Sequence, residues 1–194
     1  MSHPPKVLVF AGTTRREAFN KKLARVAAAA AQAAGAEATY VDLRDLPMPL
    51  YDGDLEAEQG IPENAQKLKK LLLEHEGLLV STGEYNSSIT GVLKNAIDWA
   101  SRQDRGAAPL ACFKGKVAGL LSASPGALGG MRALVHVRAI LGNIGVLVLP
   151  EQLALGKAHE AFHPDGSLKD PKQQASVEKV AASLVALLVK IHGG

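Results

Sequence analysis

One cysteine, one tryptophan and three tyrosines are spread over 194 residues, and these scarcities narrow the field before any motif is considered. A lone thiol, Cys112, rules out an internal disulfide and a cluster of thiolate metal ligands. Aromatic side chains make up 4% of the chain, too few for the stacking platforms that hold single-stranded nucleic acid. No apolar run approaches the roughly 20 residues that cross a bilayer, so no membrane partner is expected. Neither sign of charge dominates. Lysine and arginine number 22 against 19 acids, a net charge of +3, and the cations are scattered. That balance suits small anionic ligands and leaves no nucleic-acid footprint. The histidines (His3, His75, His136, His159, His163 and His192) fall at no metal-ligand spacing, so no metal site is expected. The nucleotide signatures G-x-x-x-x-G-K-[ST] and G-x-G-x-x-G are missing as well. MSHPPK leads directly into a strand pattern without the marks of a secretory leader, which makes the cytoplasm the expected compartment.

What the chain does have is apolar mass in regular alternation. Hydrophobic residues make up 47% of it, enough for one sizeable core, and residues 1–194 are expected to form a single domain. Continuous apolar runs at Val7–Phe10, Ala38–Leu43, Leu78–Ser81, Val117–Ser122 and Val146–Leu149 read as strands. Helical patterns lie between them: an alanine-rich segment Lys21–Ala34 ended by Gly35, and one from about Leu128 to Leu141. Another is opened by Pro62 and Glu63, with Ala65, Leu68, Leu71 and Leu72 facing inward. A final helix sets Val177, Val180, Ala181, Leu184, Leu188 and Ile191 on one stripe. The stretch Arg44–Gly60, with Pro47, Pro49, Gly53 and Gly60 among many acids, reads as a long surface loop. Strands that are apolar throughout and separated by helices predict a parallel sheet covered on both faces, an α/β three-layer sandwich. Ligands of such open sheets sit beyond the carboxyl ends of the strands, which directs attention to the loops after the first, third and fourth.

Loop one is GTTRREAFN, Gly12–Asn20. Gly12 permits a sharp turn, Thr13 and Thr14 bring hydroxyls, Arg15 brings a fork of donors suited to a phosphate, and Asn20 can add an amide. The same residues also read as a capped helix with a solvated surface. Loop two is GEYNSSITG, Gly83–Gly91. It offers a ring at Tyr85, an amide at Asn86, and small residues including Ser88 that expose main-chain groups beside Gly83 and Glu84. A planar heteroaromatic with polar edges suits that set. Alternatively Tyr85 packs, Ser87, Ser88 and Thr90 cap the next helix, and Glu84 is an ordinary loop acid. Loop three is SASPGALGG, Ser122–Gly130, which acts through its backbone: Ser122, Ser124 and Gly126 permit close approach to a flat ligand, or else form a plain flexible turn. Trp99 and Ile97 are assigned to the core or a subunit contact, Cys112 to an inert apolar patch, and Arg132, His136 and Arg138 to a solvated helix face.

At these residues the chain resembles the NADPH-dependent FMN reductase family of flavodoxin-like proteins, which includes bacterial quinone, azo-dye and chromate reductases. The family's phosphate loop G-S-x-R-x-x-S-x-N is matched by Gly12, Thr13, Arg15 and Asn20. Its second motif, P-E-Y-N-x-S-x-x-G-x-L-K-N-A-I-D-W, is matched from Glu84, Tyr85 and Asn86 through Ser88 and Gly91 to Trp99. Its third loop corresponds to Ser124, Gly126, Gly129 and Gly130. The similarity runs from Lys6 past the fifth strand and continues weakly through AFHPDGSL. Two positions depart from it. Gly83 stands where the family has proline, and Ala18 where it has a serine directed at the phosphate, with Glu17 beside it.

The resemblance implies a flavodoxin-like sheet of order 2-1-3-4-5 and an oxidoreductase whose chemistry is carried by FMN, so that no side chain is catalytic. Hydride would pass from NADPH to the flavin N5. Two electrons would then pass to a small-molecule electron acceptor: a quinone, an azo compound, a metal oxyanion or a flavin. Backbone N–H groups of loop three, or of the helix after loop two, would stabilise the reduced ring. The resemblance further implies a homodimer or homotetramer whose subunits complete the flavin pocket. Two other readings stay open: a flavodoxin-type electron carrier, and a flavin-free regulatory or scaffold homologue.

Overall fold

Val7–Ala11, Leu78–Val80 and Leu120–Leu121 are almost wholly removed from solvent, so their backbone groups must pair with one another. They do so in one parallel sheet. The computed structural model describes residues 3–104 and 106–192. Its elements in chain order are β1 Lys6–Gly12, α1 Phe19–Ala33, β2 Glu37–Asp42, α2 Gly53–Gln59, α3 Glu63–Leu73, β3 Gly77–Thr82, β4 Glu84–Tyr85, β5 Ser88–Ile89, α4 Gly91–Ala100, β6 Val117–Ala123, α5 Met131–Asn143, β7 Leu147–Leu155 and α6 Pro171–His192. The sheet order is β2-β1-β3-β6-β7. This is the expected five-strand order, with the short β4 and β5 forming a separate hairpin. In register, Ala11 lies beside Ser81 and Gly12 beside Thr82, while Thr82 lies beside Ser122, so these three strands end level with one another.

Helices cover both faces. Val7, Val9, Leu79 and Leu121 pack with Leu23 of α1 and Val180 and Leu184 of α6. Leu8, Phe10, Val80 and Leu120 pack with Leu72 of α3, Leu93 of α4 and Leu134 of α5. The indole of Trp99 is fully buried, its Nε1 donating to the Pro49 carbonyl at 2.8 Å, which places it in the core. Cys112 is buried against the Lys69 carbonyl, and burial pushes its thiol up.

Four expectations change. The predicted loop Arg44–Gly60 contains a 3₁₀ turn at Leu43–Asp45 and the helix α2, whose first turn is capped by Asp52 accepting from Asp54 N. None of the α2 residues is buried, which explains why no apolar stripe announced it. Loop two folds back on itself as the β4–β5 hairpin, with positive φ at Asn86 and Ser87, the two residues of its turn. The fifth strand runs past Pro150 to Leu155, tolerated because β7 is a sheet edge. Ile191, assigned to the inner stripe of α6, is half exposed.

Candidate functional site

Because β1, β3 and β6 end together, their loops share one rim, and a cleft opens there. Thr13, Arg15 and Asn20 reach it from loop one, Gly83, Glu84 and Tyr85 from loop two, and Ser124 from loop three. Ala18, Phe19, Thr90, Ala123 and Pro125 complete the lining. Gly12, Thr14, Asn86, Ser88, Ser122 and Gly126 do not line it.

Loop one is wound by its own groups. Thr13 N donates to Ala11 O at 2.8 Å, and Arg15 N donates to Thr13 Oγ1 at 3.2 Å. Gly12 does not take a positive φ; it permits close packing, since a Cβ there would lie 2.8 Å from Leu93 Cβ. Ala18 caps α1 with extended backbone and no hydrogen-bonding side chain. The first N–H groups of α1 therefore meet the cleft with no side-chain acceptor, at the positive end of the helix dipole.

The other two helices that start at this rim are supplied by the chain. Thr90 Oγ1 accepts from Leu93 N at 3.1 Å while its proton goes to Gly12 O at 2.6 Å. The Glu84 carboxylate accepts from Arg132 N at 3.1 Å and Ala133 N at 3.4 Å, and pairs with the Arg132 guanidinium at 3.3 Å. Glu84 thus neutralises the start of α5, a structural task added to its place in the cleft wall.

Asn20 is buried, and its Oδ1 accepts from Ser81 Oγ and Ala123 N, both at 2.9 Å. Its Nδ2 donates to Ala123 O at 2.9 Å. Three of the four hydrogen-bonding positions of this amide are thereby used in tying α1 to the ends of β3 and β6, which leaves one N–H for a ligand. Ser122 Oγ is buried and donates to Gly129 O at 2.6 Å, and Ser124 Oγ accepts from Gly126 N at 3.3 Å, so loop three is shaped by its two serines. Ser88 Oγ lies 2.8 Å from His136 Nδ1, beside the hairpin. Tyr85 is 56% exposed, its ring free at the cleft mouth.

Phe19 and Thr90 escaped the sequence reading as cleft residues. The signal for Phe19 is its place as the first residue of α1; its ring stacks on Phe162, 6.4 Å between centroids and 2° from parallel. Phe162 belongs to the AFHPDGSL segment, which the structure brings back beneath loop one. Among the described residues no group of three or more His, Cys, Asp or Glu could hold a metal ion.

Residues 5–160 match the family model described as NADPH-dependent FMN reductase. An NAD(P)H-dependent FMN reductase of Pseudomonas aeruginosa is 34% identical over 197 residues, covering 100% of both chains. A quinone reductase of Pseudomonas putida is 36% identical over 187 residues, covering 94% of this chain and 96% of that one. Among solved structures, a flavoenzyme NAD(P)H:(acceptor) oxidoreductase of Paracoccus denitrificans superposes with a TM-score of 0.81 at 29% identity, covering 97% of this chain and 98% of that one.

Proposed function

The chain belongs to the NADPH-dependent FMN reductase family, and from that premise we propose that it passes electrons from NAD(P)H, through bound FMN, to a small acceptor such as a quinone, an azo compound, a metal oxyanion or a free flavin. The observation that carries the reading is the cleft in which all three loops meet at an α1 N-terminus without a side-chain cap. The residues present fit the cofactor. Thr13, Arg15 and the first N–H groups of α1 would hold the phosphate, each offering a donor to an anion. Gly83, Glu84, Tyr85, Ser124 and Pro125 would border the ring, with Tyr85 at the exposed side.

Bound FMN supplies hydride acceptance from the nicotinamide and delivery of two electrons to the acceptor. The protein's part is placement and charge. The one carboxylate in the cleft lining, Glu84, is engaged with α5 and Arg132, and no histidine or cysteine lines the cleft. Proton transfer by a side chain is therefore not part of the proposal. The loop one cations and the α1 dipole favour an anion.

A homo-oligomer and a cytoplasmic location belong to the same proposal, with no nucleic acid or membrane partner. The exposed Leu50 described below supports the first. No helix among the described residues is long and apolar enough to cross a membrane. The test is steady-state NADPH consumption by the FMN-loaded protein against quinones, azo dyes, chromate, ferric chelates and free flavins. Oxidation that depends on an added acceptor, with no second protein, is the expected result. Consumption that requires a protein partner would establish an electron carrier instead.

A further inference from the structure

Loop one is held from behind by a residue that lies outside the cleft. Arg44 sits in the 3₁₀ turn after β2, exposed to solvent. One guanidinium nitrogen donates to the Thr14 carbonyl at 3.0 Å. Among the described residues this is the one hydrogen bond that residues 13–17 receive from another element; the rest are made within the loop or to Ala11.

The position of Arg44 is itself determined. Its backbone N–H donates to Asp42 Oδ1 at 2.9 Å, so the Asp42 carboxylate caps the turn. The other oxygen, Oδ2, accepts from Lys21 Nζ at 2.6 Å, and the Lys21 side chain is 1% exposed. A buried ammonium must keep its partner, so the Lys21–Asp42 pair is a firm anchor between α1 and the end of β2. The contacts close a ring from α1 through Asp42 and Arg44 to Thr14, and so back to the loop that precedes α1. The guanidinium at its end also adds a positive charge behind the phosphate loop.

We propose that Arg44 is a positioning residue for the FMN phosphate. It fixes the Thr14 carbonyl and thereby sets loop one in the form that receives a dianion, while touching no part of the ring site. This rests on the FMN assignment above. The role is specific to the phosphate, because Arg44 braces loop one and no hydrogen bond or ion pair among the described residues links it to loops two or three. Riboflavin, which has the same ring and no phosphate, is therefore the internal control.

The experiment titrates FMN and riboflavin separately into the ligand-free full chain, following quenching of flavin fluorescence, with Arg44→Ala and Arg44→Lys alongside. Arg44 is exposed, so both variants are expected to melt within a few degrees of the parent chain. For Arg44→Ala the FMN dissociation constant rises about tenfold, because loop one loses its outside brace and the phosphate a positive charge behind it, and the riboflavin constant is unchanged. Arg44→Lys recovers part of the loss by keeping the charge without the fork. Equal FMN constants for Arg44→Ala and the parent, with the parent still preferring FMN to riboflavin, would overturn this inference alone. Equal loss of FMN and riboflavin with a lowered melting point would reduce Arg44 to a structural role and overturn it too. A parent chain that binds neither flavin, or binds both alike, would remove the phosphate site itself.

Discussion

Ala18 shows how much one methyl-for-hydroxyl difference can ask of a ligand. It is buried at the N-cap of α1, and its side chain satisfies none of the helix's first N–H groups. Ala18→Ser restores a cap hydroxyl, and the ligand-free protein is expected to gain about 0.5–1 kcal/mol in urea denaturation. The same hydroxyl can donate to a phosphate, so FMN is expected to bind about fivefold more tightly, equivalent to about 1 kcal/mol; equal constants by flavin fluorescence would remove the cap argument. Asn20 makes the opposite point. Asn20→Ala strips partners from Ser81 Oγ and from both backbone groups of Ala123, all buried, and a loss of about 2–3 kcal/mol is expected in the same assay. Cys112 was legible as inert, and burial gives the reason. Its folded thiol titrates above the ordinary range, so the unfolded chain loses that proton first as pH rises. This contribution to stability is present below the ordinary thiol value and fades as pH climbs through the raised one. A chromogenic disulfide at pH 8 is expected to react slowly with the native protein and promptly in guanidinium.

At the scale of elements, the sharpest constraint is loop three against β7. Gly129 has φ +62°, and a Cβ there would lie 2.6 Å from Ala154 C and 2.7 Å from Gly156 N. Those atoms are backbone and cannot step aside cheaply. Gly129→Ala is expected to cost about 2–4 kcal/mol and to weaken FMN binding as the loop is displaced, both measurable by thermal unfolding with and without flavin. The core strands were legible because β1, β3 and β6 are apolar on both faces, a pattern no surface segment imitates. The helix α2 was not, since none of its residues is buried and it rests on caps. Nor was the β4–β5 hairpin: its strands are two residues each, and its turn uses Asn86 and Ser87 without the glycine that marks such turns.

For the molecule as a whole, the parallel sheet and the convergence of three loops followed from alternating strands and helices, and the order of the strands from the family resemblance. The division of labour within the cleft did not. Whether Asn20 faces a ligand or braces two strands depends on Ser81 and Ala123, which lie far away in sequence and near only once the sheet is assembled. The segment before α2 carries a further consequence. Pro49 O accepts from Asn95 Nδ2 and Trp99 Nε1, Tyr51 N donates to Asn95 Oδ1, and the Arg102 guanidinium lies 4.9 Å from the Tyr51 ring centroid. This firmly held strap leaves Leu50 81% exposed. An ordered, exposed leucine suits a subunit contact. In the proposed oligomer, Leu50→Asp is expected to lower the assembly state seen by light scattering without unfolding the chain; an unchanged mass would place the contact elsewhere.

The most direct test of the central claim is a rapid anaerobic mixing of FMN-loaded protein with NADPH, followed by addition of a quinone. If the three loops hold FMN as argued, the visible flavin absorbance disappears on mixing with NADPH and returns in full with the quinone, one FMN per chain. A chain that retains no flavin, or whose flavin keeps its colour in the presence of NADPH, would contradict it.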